Sequence, residues 1–180
     1  MSFIATKQHV ANRSVPPDDF LDQLVAWGKQ ATDEKFAPNA HSDVYSSVFN
    51  VLGPWQVLHT AVLVMLEVMR VLAGFESSWN WNAGRDTTNS ISVTPDTIEA
   101  GAWQVSANSM NFGQKLKDLV LAKLGAIDGN AFQKAMKENH PVAMEYIGRL
   151  LRRTAHQNGP VLRHEIDLWL RQNALRSFKD

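Results

Sequence analysis

No cysteine occurs among the 180 residues, which removes disulfides and thiolate metal sites while leaving an extracytoplasmic destination open. Neither charge is in excess. Eighteen Lys and Arg offset eighteen Asp and Glu, so the chain lacks an electrostatic footprint for nucleic acid or an anionic membrane surface. Membrane insertion is not expected either, because the longest apolar stretch, from Trp55 to Leu66, is cut by Glu67 and Arg70 before it could span a bilayer. Met1 to His9 lacks the apolar h-region of a secretory signal, so the expectation is synthesis in the cytoplasm without a signal peptide. The histidines, at 9, 41, 59, 140, 156 and 164, show no ligand spacing, and no metal or other cofactor is expected. Repeats, low-complexity tracts and linkers are missing as well.

With 44% hydrophobic and 20% charged residues, this length is enough for one substantial core. Residues 1–15 are polar and irregular up to Val15-Pro16-Pro17 and read as a flexible arm; residues 16–180 read as a single domain. Asp18-Asp19 opens a helix with Phe20, Leu21, Leu24, Val25 and Trp27 on one stripe and Gly28 near its end. Val44 to Leu52 is a short helix, Ala37 to Ala40 a loop, and Gly53-Pro54 a join at which Pro54 suits the first turn of the next helix. From Val57 to Phe75 apolar residues fall on nearly every face, which predicts a helix buried in the middle of the domain. Further helices are expected from Gly113 to Gly125, from Asn130 as cap, from Pro141 to Asn158-Gly159-Pro160, and from Val161 to Leu175. Ser90 to Thr94 alternates as a short strand would before Pro95. The fold class is therefore mainly α: a helical bundle around a buried central helix, with a small β element.

Glu76 stands at the end of that central helix. It is in register with Met69, Leu72 and Ala73, so continuing the helix places it on an apolar face, where exclusion of water disfavours the ionised form. The partial negative charge of a helix C-terminus acts in the same direction. A carboxylic acid that keeps its proton near neutral pH is what a glycosidase uses as general acid on the leaving oxygen. An ordinary solvated glutamate is the bland alternative.

Glu76-Ser77-Ser78-Trp79-Asn80-Trp81-Asn82-Ala83 resembles the E-S-S-F-N-P-N-A signature of goose-type lysozymes and soluble lytic transglycosylases. Gly101-Ala102-Trp103-Gln104-Val105 resembles their downstream G-L-M-Q element. Departures are Trp81 in place of Pro, Ala102-Trp103 in place of Leu-Met, a longer gap from Arg85 to Glu99, and Ser106 where an Asp is common. The resemblance implies a lysozyme-like fold and a muramidase acting on the glycan strand of peptidoglycan, with Glu76 as general acid. Asp86, in a polar loop ten residues on, is the first candidate for a water-positioning carboxylate, against an Asx turn in Arg85-Asp86-Thr87. Glu99 is its rival. Trp103 and Gln104 are expected to line the groove, Trp79 and Trp81 to offer stacking faces or else to pack in the core, and Ser78 and Tyr146 to be polar partners.

The same resemblance leaves a lytic transglycosylase open, and a phage endolysin beside a type VI secretion effector. Zero net charge and no room for a wall-binding module favour the effector, a monomer acting in the periplasm of target cells and met there by an immunity protein over Trp79, Trp81 and Gln104. A non-catalytic helical module that binds glycan or protein is the reading from a different class.

Overall fold

The computed structural model describes residues 6–30, 36–37, 43–53, 58–153 and 159–177. Helices run α1 (Asp18–Gln30), α2 (Val44–Leu52), α3 (Leu58–Ser77), α4 (Gln114–Leu124), α5 (Gly129–Glu138), α6 (His140–Leu151) and α7 (Ala174–Ser177), with 3-10 turns at Ala107–Phe112 and Asp167–Trp169. The protein is thus mainly α-helical. Among the described residues no helix is long and apolar enough to cross a membrane.

Helix α3 is the spine, as its all-round apolar pattern predicts. From Ala61 to Ala73 only Val62 is more than marginally exposed, and α1, α2, α6 and α7 all pack on it. Gly28 lets α1 come close, because a Cβ there would lie 2.8 Å from a methyl of Leu66. The two charges in the middle of α3, Glu67 and Arg70, are fully enclosed. Arg70 grips Glu67 with two hydrogen bonds of 2.8 and 2.7 Å. A buried ion pair recovers its desolvation cost only when the remaining donors and acceptors are met. Here they are met by distant chain. The Arg171 amide donates to Glu67 at 2.8 Å, and Arg70 donates to the carbonyls of Gln8 and Trp169, both at 3.4 Å.

That clip explains two departures from expectation. Within residues 6–15, read as part of a flexible arm, Thr6 and Val10 are fully buried and Lys7 pairs with Asp18. Residues 1–5, like Pro54, Ala40 and Asn158, lie outside the described residues. The helix expected over Val161 to Leu175 is replaced by turns, a 3-10 turn and the short α7. His164 takes φ +59° and Leu170 is extended, which frees the Arg171 amide to reach Glu67 instead of a helical carbonyl. Tertiary bonding overrides local propensity here.

Among the described residues the expected β element shrinks to one antiparallel bridge, Ala100 to Val105. Ser90 to Thr94 does alternate, but as turns and in the opposite sense: Ile91 and Val93 are exposed while Ser92 is fully buried. Elsewhere the signals hold within a residue or two. Gly125 closes α4 at φ +77°, Asn139 caps α6 ahead of Pro141, and Asp128 rather than Asn130 caps α5 by accepting from the Ala131 amide. The exception is α6, which stops at Leu151, well short of the expected Asn158-Gly159-Pro160.

Candidate active site

The end of α3 folds back on itself. Ser78 and Trp79 take φ +58° and +61°, a left-handed pair that reverses the chain, and their amides satisfy the last carbonyls of the helix at Gly74 and Ala73. The Trp79 indole then tucks beneath the final turn and donates to the Arg70 carbonyl at 2.9 Å. Gly74 makes this possible, since a Cβ there would stand 2.4 Å from the ring. Asn80 accepts from the Asn82 amide at 2.9 Å, and Trp81 turns inward, stacked on His140 at 3.8 Å and edge-on to Trp103 at 5.3 Å.

The second motif is a tight turn bolted to the first. Ser77 Oγ donates to the Ala102 carbonyl at 2.7 Å, the Gly101 amide to the Ala83 carbonyl at 2.8 Å, and the Trp103 indole to the Met69 carbonyl at 2.8 Å. Gly101 is obligatory. It has φ +75°, and a Cβ would lie 2.5 Å from the Met136 carbonyl oxygen. The two segments that carry the resemblance therefore form one unit.

Glu76 emerges from this unit, half-buried, at the edge of a groove of about 220 Å³. Leu72, Ile147, Leu150 and Leu151 line it from α3 and α6, Trp103 to Ser106 and Ser109 from the second motif and its 3-10 turn, and Gly159 to Leu162 close the remaining side. Burial pushes the Glu76 carboxyl up to about 7; Arg163 opposes the shift, while Glu165 and Glu99 add to it. Its acid form is thus substantially populated near neutral pH.

The other expected residues separate into three groups. Trp103 and Gln104 do line the groove. Gln104 Nε2 donates to the Gly101 carbonyl at 3.0 Å, which turns its amide oxygen toward other donors. Trp79 and Trp81 do not line it: they are 3% and 9% exposed, so packing replaces the stacking faces expected of them. Tyr146 is fully buried behind the wall, its hydroxyl 2.7 Å from Ser109 Oγ. Because the one Ser109 proton goes to the Ser106 carbonyl, Tyr146 is the donor in that contact. Ser78 serves the chain reversal.

Of the two acidic candidates, Asp86 is exposed and accepts from the Thr88 amide and hydroxyl at 2.8 and 2.6 Å, the Asx turn foreseen as its alternative. The Thr88 hydroxyl holds its carboxyl below the usual range. Glu99 is the carboxylate whose charge bears on Glu76. It accepts from Asn89 Nδ2 at 2.7 Å and from the Ser92 hydroxyl. Sequence reasoning missed Asn89 and Ser92, and also Arg163 and Glu165, which pair bidentately at 2.8 and 2.9 Å beside Glu76. Asn89 sits in the polar loop, Ser92 in a segment read as strand, and Arg163 and Glu165 in one read as helix, and nothing in their spacing marks them.

No group of three or more His, Asp or Glu suited to a metal ion occurs among the described residues. Comparisons of the chain with models of protein families, with curated proteins and with solved structures find no match, so the geometry of the groove and its residues is what bears on function.

Proposed function

We propose that this protein cleaves the glycan strand of peptidoglycan between N-acetylmuramic acid and N-acetylglucosamine, on a lysozyme-like helical framework, with Glu76 as general acid. The observation that carries the reading is a half-buried carboxyl at the end of a buried helix, opening on a groove and raised to about 7. At neutral pH such a group can donate its proton to the bridging oxygen as the bond lengthens toward an oxocarbenium-like transition state. Gln104 supplies an amide oxygen for a sugar hydroxyl or N-acetyl N–H, and Leu72, Ile147 and Leu150 with the small exposed edge of Trp103 supply an apolar lining that suits an acetyl methyl.

Cleavage by water gives a new reducing end. Attack by the muramic 6-hydroxyl instead gives a 1,6-anhydro end, as a lytic transglycosylase would. Digestion of purified peptidoglycan followed by chromatography and mass spectrometry tests the proposal, since either product type supports it and the two differ by one water. Wild-type protein that releases nothing from acid to neutral pH, or a Glu76→Gln variant that cleaves as well as wild type, would sink it.

The apolar character of the groove also suits a non-catalytic module that holds a glycan or a protein. Gel zymography separates the readings, because a binding module never clears the gel. As for context, the reading extends to an effector delivered into the periplasm of rival cells by a type VI apparatus, with a phage endolysin as the alternative. An inhibitor of the groove would meet Gln104; the burial of Trp79 and Trp81 withdraws them from that surface. Toxicity on periplasmic but not cytoplasmic expression, lost in Glu76→Gln, is the expected pattern, and equal toxicity in both compartments would overturn it.

A further inference from the structure

Among the described residues, Trp103 and Phe112 are the aromatic side chains that line the groove beside Glu76, and they differ in what they show. Trp103 is 5% exposed, its indole donating to the Met69 carbonyl, whereas Phe112 is 40% exposed. A 3-10 helix has three residues per turn, so positions three apart eclipse one another. Ser106, Ser109 and Phe112 follow that spacing along the turn Ala107–Phe112 and its cap, and all three line the groove, while Met110 is buried in the core. The local geometry thus sets Phe112 on the same face as the two serines, in the groove that Glu76 shares.

That turn is fastened along its length. The Asn108 amide donates to the Asp96 carbonyl at 2.9 Å, the Ser109 hydroxyl to the Ser106 carbonyl at 2.7 Å, and Arg153 Nη1 to the Phe112 carbonyl itself at 3.1 Å. Gly113 admits the guanidinium, since a Cβ there would stand 2.2 Å from Arg153 Cζ. With its backbone held, the phenyl ring has little freedom to lose when a ligand arrives. Polar groups of opposite sense line the same groove. Gln104 keeps its amide oxygen to accept, and Asn108, whose Oδ1 accepts from the Ser106 hydroxyl at 2.7 Å, keeps its Nδ2 to donate. An open apolar face with an acceptor and a donor in the same groove matches a pyranose whose ring substituents are all equatorial. Such a sugar presents only C–H bonds on its faces and carries its hydroxyl and acetamido groups around the rim.

We propose that Phe112 is the platform on which a gluco-configured N-acetylhexosamine ring of the glycan stacks, with Gln104 and Asn108 bonding to its rim. The inference rests on the glycan reading of the groove, and it gives to the 3-10 turn the stacking role that the buried Trp79 and Trp81 do not fill. A phenyl ring moves no proton, so Phe112 holds the sugar equally in the ground state and the transition state. Its loss therefore raises KM and leaves kcat in place. Leucine at this position keeps an apolar side chain but has no flat face, which separates stacking from simple apolar contact.

The test uses full-length protein, comparing wild type with Phe112→Ala, Phe112→Leu and Phe112→Trp. The readouts are calorimetric affinity for a peptide-free tetramer of N-acetylglucosamine, and kcat and KM on soluble peptidoglycan strands. Phe112→Ala and Phe112→Leu should each weaken tetramer binding about tenfold and raise KM by the same factor, with kcat held within about twofold. Phe112→Trp, which enlarges the face, should bind at least as tightly as wild type. Because Phe112 is exposed, its truncation opens no core, and an unchanged denaturation midpoint verifies this. Wild-type affinity and KM in Phe112→Ala or Phe112→Leu, or a loss confined to kcat, overturns the platform while leaving cleavage by Glu76 intact. A wild type that does not bind the tetramer overturns it as well. If wild type binds the tetramer through Phe112 yet releases nothing from peptidoglycan, the platform stands and the cleavage reading falls; neither binding nor cleavage overturns both.

Discussion

Burial of a single carboxyl at the end of α3 couples activity and stability to pH. Glu76 ionises at about 7 in the folded chain against an ordinary 4.5, so folding is unpenalised below pH 4.5 and the penalty grows as pH rises to 7, then levels. At about 1.4 kcal/mol per pH unit the full penalty is roughly 3 kcal/mol. Glu76→Gln should therefore raise stability by about that much at pH 8 and by almost nothing at pH 4, read as denaturation midpoints at the two pH values; equal effects at both would contradict a raised carboxyl. The same group sets the alkaline limb of activity. Cleavage should fall through half its maximum near pH 7, and Glu99→Gln, by removing a neighbouring negative charge, should move that limb downward.

The two short motifs behave as one rigid element because the Trp79 and Trp103 indoles donate to adjacent carbonyls of α3, at Arg70 and Met69, and Ser77 ties one motif to the other through the Ala102 carbonyl. Gly101→Ala forces both a left-handed φ and a 2.5 Å approach to the Met136 carbonyl oxygen. We expect a loss of about 2 to 4 kcal/mol in chemical denaturation and a disproportionate loss of activity, since Ser77 would no longer find Ala102. Much at this scale was legible beforehand. Periodicity located α1, α2, α4, α5 and α6, an apolar run on nearly every face located α3, and the two motifs pointed to Glu76, Trp103 and Gln104. What could not be read were choices decided by distant partners: the Arg171 amide ending a helix that local sequence favours, or Glu99 drawing Ser92 inward against the alternation of Ile91 and Val93. Asp86 and the inward Trp79 and Trp81 illustrate the same limit. Their residue types suit a glycan site, and only the turn at Thr88 and the packing around Gly74 and His140 decide otherwise.

Across the molecule, the Glu67 and Arg70 pair ties residues near both ends to the spine. Arg70→Met leaves Glu67 enclosed without its cation and should cost about 3 to 5 kcal/mol, whereas Glu67→Leu with Arg70→Met should cost markedly less. Burial already raises the Glu67 carboxyl, so the cost of the single variant should shrink in acid, where the stranded group takes a proton; a cost independent of pH would count against an uncompensated charge. This arrangement also has a consequence in time. During synthesis α3 emerges long before residues 169–171, so its two enclosed charges wait, half-served, until those residues have been made. The N-terminal segment waits with them, because its anchor on Arg70 is not yet settled. A nascent chain stalled on a spacer so that residues up to Ile166 have left the exit tunnel should therefore be protease-sensitive, and resistance should appear in one step once a longer spacer lets Arg171 clear it.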